Sequence, residues 1–319
     1  MSVKQDDNVS FVEKALSRLK GQQEKLVPLG EIRDNADGDD AAVVAIAAQD
    51  NVAPDRIIAV ERQRLTDEGF LAPEKYQRQL ADEYRLIKRP LIANAFGIGV
   101  PAVEDGNLIL VSSAVSGEGK THTCINLALS LAAERDRTVL LVDGDVAKPH
   151  ISRLFGVADQ PGLLDALDDD QIPLDKLLIH TDIPGLVLLP AGRWSDYTTE
   201  LLASGRMRDL CKELSGRYSD RIILFDSPPI LATTEAQAIA QAVGQIALVV
   251  AENTTPRDEV RAALSQLDPN KPINAILNKS RQPFIGGYYY GGYGYGRHAD
   301  KRASGSDYKS DYGSKRRRD

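Results

Sequence analysis

From Gly106 onward, short apolar runs alternate with amphipathic stretches. The runs are Leu108 to Val111, Val139 to Val142, Leu186 to Leu189, Ile222 to Phe225, Ile246 to Val250 and Ile273 to Leu277. Runs without polar alternation, separated by helical patterns, are the mark of parallel strands covered on both faces by crossover helices. The pattern predicts an α/β domain with a mostly parallel central sheet flanked by helices. Upstream, Gln77 to Phe96 reads as a charged helix interrupted by Pro90. Proline lacks the N–H and clashes with the preceding turn, so a kink or a fresh helix start is expected there. Nearer the start, Ser10 and Glu13 form a capping box ahead of Phe11, Val12, Ala15, Leu16 and Leu19, one apolar face of a short helix ending near Gly21. The polar, acidic stretch Glu31 to Asp40 follows as a linker. Beyond Pro283 periodicity vanishes, and Gly286 to Gly296 contains only Gly and Tyr. The expected divisions are an N-terminal helix and linker region over 1–75, a central domain over 76–283 and a disordered tail over 284–319.

Composition adds an asymmetry. The 319 residues are 42% hydrophobic and 27% charged, ordinary for a globular protein, with a net charge of −7. That balance argues against a protein that coats nucleic acid, and no specific nucleic-acid partner is expected. The tail, residues 281–319, nevertheless carries +5 and ends in Lys315 to Arg318. Seven of the eleven tyrosines lie in it: Tyr288, Tyr289, Tyr290, Tyr293, Tyr295, Tyr308 and Tyr312. Cys124 and Cys211 belong to no CxxC or Cys/His cluster and read as buried, reduced hydrophobes of a cytosolic protein. The opening MSVKQDDNVS lacks the layout of a signal peptide, and no apolar run reaches the ~20 residues of a membrane span. The expectation is a cytoplasmic protein without a transmembrane segment.

The chemistry concentrates in three places. Ala114 to Thr121 reads AlaValSerGlyGluGlyLysThr, a phosphate-binding loop placed after a strand and opening a helix. Gly117 and Gly119 let backbone N–H groups face a β-phosphate, Lys120 brings charge to the β/γ oxygens, and Thr121 offers a hydroxyl to Mg²⁺. Ser116, Glu118 and His122 complete the nucleotide-binding stretch, with the His122 side chain read as packed or hydrogen-bonded within the protein rather than as a ligand. The second place is ValLeuLeuValAspGlyAsp, Val139 to Asp145, which delivers Asp143 and Asp145 from the C-terminal end of a parallel strand into the ligand crevice. Two carboxylates there suit a divalent ion or a base for an attacking hydroxyl; an Asx-turn explains them equally well in isolation. The third is IleIleLeuPheAspSerProPro, Ile222 to Pro229, placing Asp226 at another strand end, where a P-loop nucleotidase keeps a Mg²⁺-supporting acid. From the residues alone the metal candidates are Thr121, Asp226 and either of Asp143 and Asp145.

The ordered trio, the Tyr-rich tail and AspGluTyrArgLeuIleLysArgPro (Asp82 to Pro90) together resemble the bacterial protein-tyrosine kinases of exopolysaccharide systems, P-loop kinases unrelated to the eukaryotic ones. The phrases Glu83 to Phe96 and Thr199 to Ser204 look like the exosortase/PEP-CTERM-associated autokinase branch. The resemblance implies ATP- and Mg²⁺-dependent autophosphorylation in trans on the tail tyrosines and a ring-forming homo-oligomer. It also implies a separate membrane activator of the chain-length-determinant type, which would recruit the protein to the inner face of the membrane, and a cognate tyrosine phosphatase. By the same resemblance Asp143 accepts the tyrosine proton, Asp145 organises Mg²⁺ and Asp226 is the Walker B acid. Asp82, Arg85 and Lys88 fall where the family has a Glu-x-x-Arg-x-x-Arg oligomerisation motif, with Lys88 lacking the fork of Arg. Ala147 stands where the family commonly has Arg, and Asn278 lies where related ATPases approach adenine. The competing readings are a partitioning or positioning ATPase switch and a non-catalytic ATP-binding scaffold. The first usually has a Lys early in the loop, where this chain has Val115.

Overall fold

The computed structural model describes residues 57–70, 77–134, 136–217 and 220–280. The expected helix near residues 10–21, the linker 31–40 and the Gly/Tyr tail with its seven tyrosines lie outside the described residues. Eight strands form one sheet: β1 (Ile57–Ile58), β2 (Leu108–Ser113), β3 (Thr138–Asp143), β4 (Ile179–Thr181), β5 (Leu186–Leu189), β6 (Arg221–Asp226), β7 (Gln245–Ala251) and β8 (Ile273–Asn278). The helices are α1 (Arg62–Asp67), α2 (Gln77–Phe96), α3 (Lys120–Ala132), α4 (His150–Leu154), α5 (Leu163–Asp168), α6 (Thr198–Leu202), α7 (Gly205–Arg217), α8 (Thr234–Ala242) and α9 (Arg257–Ser265). The spatial order is β1-β4-β5-β3-β6-β2-β7-β8, parallel throughout except for β4 against β5. All six predicted runs are strands. β2 and β6 are buried along their whole length, which is why their sequences show no polar alternation.

Two hydrophobic layers enclose the sheet. On one face Leu110, Leu140, Val142 and Phe225 pack with residues of α5, α7 and α8, such as Leu163, Leu210 and Ile239. On the other, Ile109, Val111, Leu141 and Leu224 pack under α3 and α2. Helix α2 runs unbroken through Pro90, so no fresh helix starts there. The carbonyl that loses its N–H donor belongs to Leu86, on an outer turn where that residue is 47% exposed, so water can replace the missing donor.

The same helix corrects the reading of its charged triad. Its buried stripe is Ala81, Tyr84, Lys88 and Leu91. At 100° per residue Lys88 lies about 120° around the helix from Asp82, far enough to turn inward. Lys88 Nζ donates to the Ser130 carbonyl of α3 at 2.8 Å and pairs with Glu134 just past the end of that helix. Burial pushes its pKa down, and Glu134 holds it partly up. Lys88 therefore fastens α2 to α3 and is not free to pair with another subunit. Arg85 pairs with Asp82 on the outer face.

At the far edge, β1 adds to β4 in parallel and the chain then turns across the α3 side. Asp182 holds this strap: its Oδ1 accepts from Val60 N at 3.0 Å and its Oδ2 pairs with Arg62 at 2.8 Å. Leu65 and Phe70 are buried beneath it. The strap ends on the first turn of α3, where Phe70 stacks on His122 with ring centroids 5.6 Å apart.

Candidate functional site

Three neighbouring strands, β3, β6 and β2, deliver the three sequence elements to one edge. Asp143 and Asp226 are register partners across β3 and β6, and Val111, just before the loop, is paired with Asp226. Gly144 comes so near that a Cβ there would lie 2.6 Å from the Asp226 carbonyl, and its N–H donates to that oxygen at 2.8 Å. No larger residue fits between the two acids.

The loop Ala114–Thr121 is fixed from below by Glu118, which is 2% exposed. Its Oε2 accepts from Val115 N at 2.7 Å, and its Oε1 takes Thr255 Oγ1 and Ala251 N at the end of β7. Sequence reasoning placed Glu118 among nucleotide contacts; its side chain is instead a strut inside the protein. Gly119 adopts φ +92°, open to glycine alone at little cost, and a Cβ there would sit 2.2 Å from Asn278 Nδ2. Asn278, at the end of β8, donates to the Glu118 carbonyl at 2.8 Å. Its amide thus braces the loop. Lys279, which the sequence reading passed over, donates to the Gly117 carbonyl at 2.6 Å. Its only sequence signal was its place after Asn278. The His122 ring is engaged by Phe70 and by the Gly69 carbonyl at 3.0 Å, so its side chain packs against the strap.

The charged centre follows. Lys120 Nζ lies 3.3 Å from Asp145 Oδ2. Thr121 Oγ1 donates to Asp226 Oδ2 at 2.8 Å, which commits its proton and leaves its oxygen lone pairs for a cation. Asp226 is completely buried, and burial pushes its pKa up to about 8, with Lys120 pulling back and Asp143 adding to the rise. Asp143 is likewise inaccessible and is pushed up to about 6 by burial, against two hydrogen bonds from Ser152. Each acid keeps one buried oxygen, Asp143 Oδ1 and Asp226 Oδ1, without a hydrogen-bond partner. Buried acceptors left unmet are costly and mark either a ligand site or a strain reservoir.

These features fit Mg²⁺. Among the described residues no three His, Cys, Asp or Glu side chains form a protein cage for a metal. Mg²⁺ rarely uses such a cage: it keeps waters and takes one or two protein oxygens plus substrate phosphates. Thr121, Asp145 and the orphan oxygen of Asp226 are the groups that would hold it.

A phosphate-binding loop between β2 and α3, with acids at the ends of the two strands on one side of β2, defines a P-loop nucleotide-binding α/β domain. The AAA domain family matches residues 106–255. The tyrosine-protein kinase YwqD of Bacillus subtilis is 30% identical over 186 residues, 57% of this chain and 77% of that protein. The putative tyrosine-protein kinase EpsB of Ralstonia nicotianae is 31% identical over 193 residues, 60% of this chain. The chain spans only 25% of EpsB, about a quarter of that relative's length. The kinase domain of Escherichia coli tyrosine kinase ETK superposes with a TM-score of 0.51 at 29% identity, covering 59% of this chain and 73% of that one. The chain belongs to the bacterial tyrosine-protein kinase family. Among the described residues no helix is long and apolar enough to cross a membrane.

Proposed function

We propose that the protein is an ATP-dependent tyrosine autokinase that phosphorylates its own C-terminal tyrosine cluster in trans and thereby regulates exopolysaccharide synthesis or export. The observation that carries the reading is the pair of buried acids, each with an unpartnered oxygen, at the register-matched ends of β3 and β6 beside an intact P-loop. Lys120 neutralises charge on the transferring phosphoryl group, and Mg²⁺ held by Thr121, Asp145 and Asp226 would supply further charge neutralisation there. The tyrosine oxygen attacks the γ-phosphorus, the bond to the β-phosphate oxygen breaks and ADP leaves. The phenolic proton passes to Asp143, whose pKa of about 6 suits a base near neutral pH. Asn278, whose amide lies against the loop, would approach the adenine.

Family membership supports the acceptor assignment: the seven tail tyrosines Tyr288, Tyr289, Tyr290, Tyr293, Tyr295, Tyr308 and Tyr312 are its natural substrates. It also supports a homo-oligomer, with Asp82 and Arg85 as the surviving contact pair, and a membrane activator and a phosphatase as partners. The exosortase-associated branch rests on the phrases Glu83 to Phe96 and Thr199 to Ser204. A switch ATPase of the partitioning kind would have no use for a Tyr cluster and usually has a loop Lys where Val115 stands. Mass spectrometry of purified protein before and after ATP·Mg²⁺ tests the proposal: mass increments on the tail are expected in the wild type and none in Lys120→Met. Mixing Lys120→Met with a variant carrying all seven Tyr→Phe changes should restore phosphotyrosine on the Lys120→Met chain. ATP turnover without phosphotyrosine would favour the switch reading.

A further inference from the structure

We propose that Ser152 is a positioning residue that fixes the Asp143 carboxylate and ties it to the loop after β5. The kinase reading enters only in naming the hydroxyl on which Asp143 acts.

Ser152 is 1% exposed and lies in α4, nine residues beyond Asp143. Its backbone N–H and its hydroxyl both donate to the same oxygen, Asp143 Oδ2, each at 2.7 Å. Its Oγ in turn accepts from Ala191 N at 3.0 Å. The hydroxyl therefore has no rotational freedom: its proton is directed at Asp143 while a lone pair is held by Ala191. A carboxylate is otherwise loosely defined, because rotation about its terminal bond is broad and roughly two-fold. Two donors on Oδ2 remove that freedom and leave Oδ1 as the oxygen without a partner.

The backbone N–H alone would satisfy the need of a short helix for a capping acceptor. The hydroxyl goes beyond that need. Through Ala191 it connects the acid to a loop bearing Trp194 and Tyr197, both exposed, and the loop is itself anchored by Asp165 Oδ2, which accepts from Gly162 N at 2.8 Å and Arg193 N at 3.1 Å. The carboxylate is thus referenced to two elements at once, α4 and the β5–α6 loop.

Ser152→Ala isolates the hydroxyl, since the N–H and the packing remain. Full-length protein should be assayed at saturating ATP·Mg²⁺ by phosphotyrosine formation and by phosphate release, with the melting midpoint followed in parallel. The expectation is a fall in kcat of about tenfold, part of what a general base contributes, with KM for ATP changed by less than about twofold. In the Asp143→Asn background the same substitution should cost less than about twofold, because a residue acting through Asp143 has nothing left to act on. Ser152→Thr, which keeps the hydroxyl, should recover most of the rate. A kcat of Ser152→Ala within about twofold of wild type, a loss carried by the KM for ATP, or an equal loss in the Asp143→Asn background would each overturn the proposal. Phosphate release without phosphotyrosine in the wild type would instead overturn the kinase reading, and the Ser152 comparison would still be read from phosphate release.

Discussion

Asp226→Asn should make the ligand-free protein more stable while abolishing phosphotransfer. The Asp226 carboxyl is entirely buried and titrates at about 8, against an ordinary value of 3.8. Below 3.8 both the folded and the unfolded chain hold this proton, and the group is neutral in its effect. As the pH rises the unfolded chain releases the proton and the folded one keeps it until about 8, so the native state is progressively penalised. At about 1.4 kcal/mol per pH unit, the roughly three units up to pH 7 amount to about 4 kcal/mol. Asparagine removes that penalty and still accepts from Thr121, but its amide brings N–H donors that need partners, which takes back about 1–2 kcal/mol. The net gain is then about 2–3 kcal/mol, or about 4–12 °C in melting temperature for a domain of this size. Calorimetry at pH 7 in EDTA without nucleotide measures it, and the gain should vanish near pH 5 and turn into a loss of about 1–2 kcal/mol near pH 4, where only the amide cost remains. Asp143 is raised in the same direction and interacts with Asp226, so the two substitutions should not add. An unchanged or lower midpoint at pH 7, or a gain that does not vary with pH, would refute the reasoning.

Three other outcomes follow from the geometry. Arg85→Glu, on the outer face of α2, should dissociate the proposed oligomer in light scattering, whereas Lys88→Met should leave the proposed assembly intact and change stability by no more than about 2 kcal/mol, because it replaces a buried charge with a side chain of similar length. Phe70→Ala removes the ring stacked on His122 and should cost about 3 kcal/mol in urea unfolding, with a raised KM for ATP as the first turn of α3 loses its support. Glu118→Gln should unfold earlier by about 1–3 kcal/mol, since an acid-accepting position that takes the N–H groups of Val115 and Ala251 acquires a donor amide in its place.

What could be read from the sequence was set by how strongly each feature was constrained on both sides. The six main strands were visible because burial on both faces leaves continuous apolar runs, and the three acidic or basic elements were visible because they punctuate strand ends. β1 and β4, two and three residues long, carry no period, and their pairing depends on Asp182 gripping Val60 and Arg62 across 122 and 120 positions of chain. Ser152 and Lys279 were invisible for the same reason: their partners, Ala191 and Gly117, are distant in sequence and are backbone atoms that leave no residue pattern. Lys88 turns inward because a residue six positions on from Asp82 lies about 120° around the helix from it, which the motif's letters do not show. Pro90 starts no fresh helix because the carbonyl that loses its donor, that of Leu86, lies on an exposed turn.

The site divides its groups unequally, and that division explains why so much of the chain is needed to build it. Asp143 and Asp226 keep unmet oxygens, a state that a yielding framework would relieve by rotating either carboxylate or admitting a turn of backbone. Each route of relief is closed by a specific contact. Ser152 stops Asp143 from rotating, Thr121 holds one oxygen of Asp226, and the close approach of Gly144 to the Asp226 carbonyl keeps the strands in register. Glu118, Asn278 and Lys279 prevent the phosphate loop from collapsing onto the acids. The strap is part of the same restraint: Phe70 touches His122 on α3 and His150 on α4, the helices that carry Thr121 and Ser152. A segment anchored at the far edge of the sheet therefore bears on both acids through their immediate partners, and any motion of residues 57–70 is mechanically connected to the position of the proposed base.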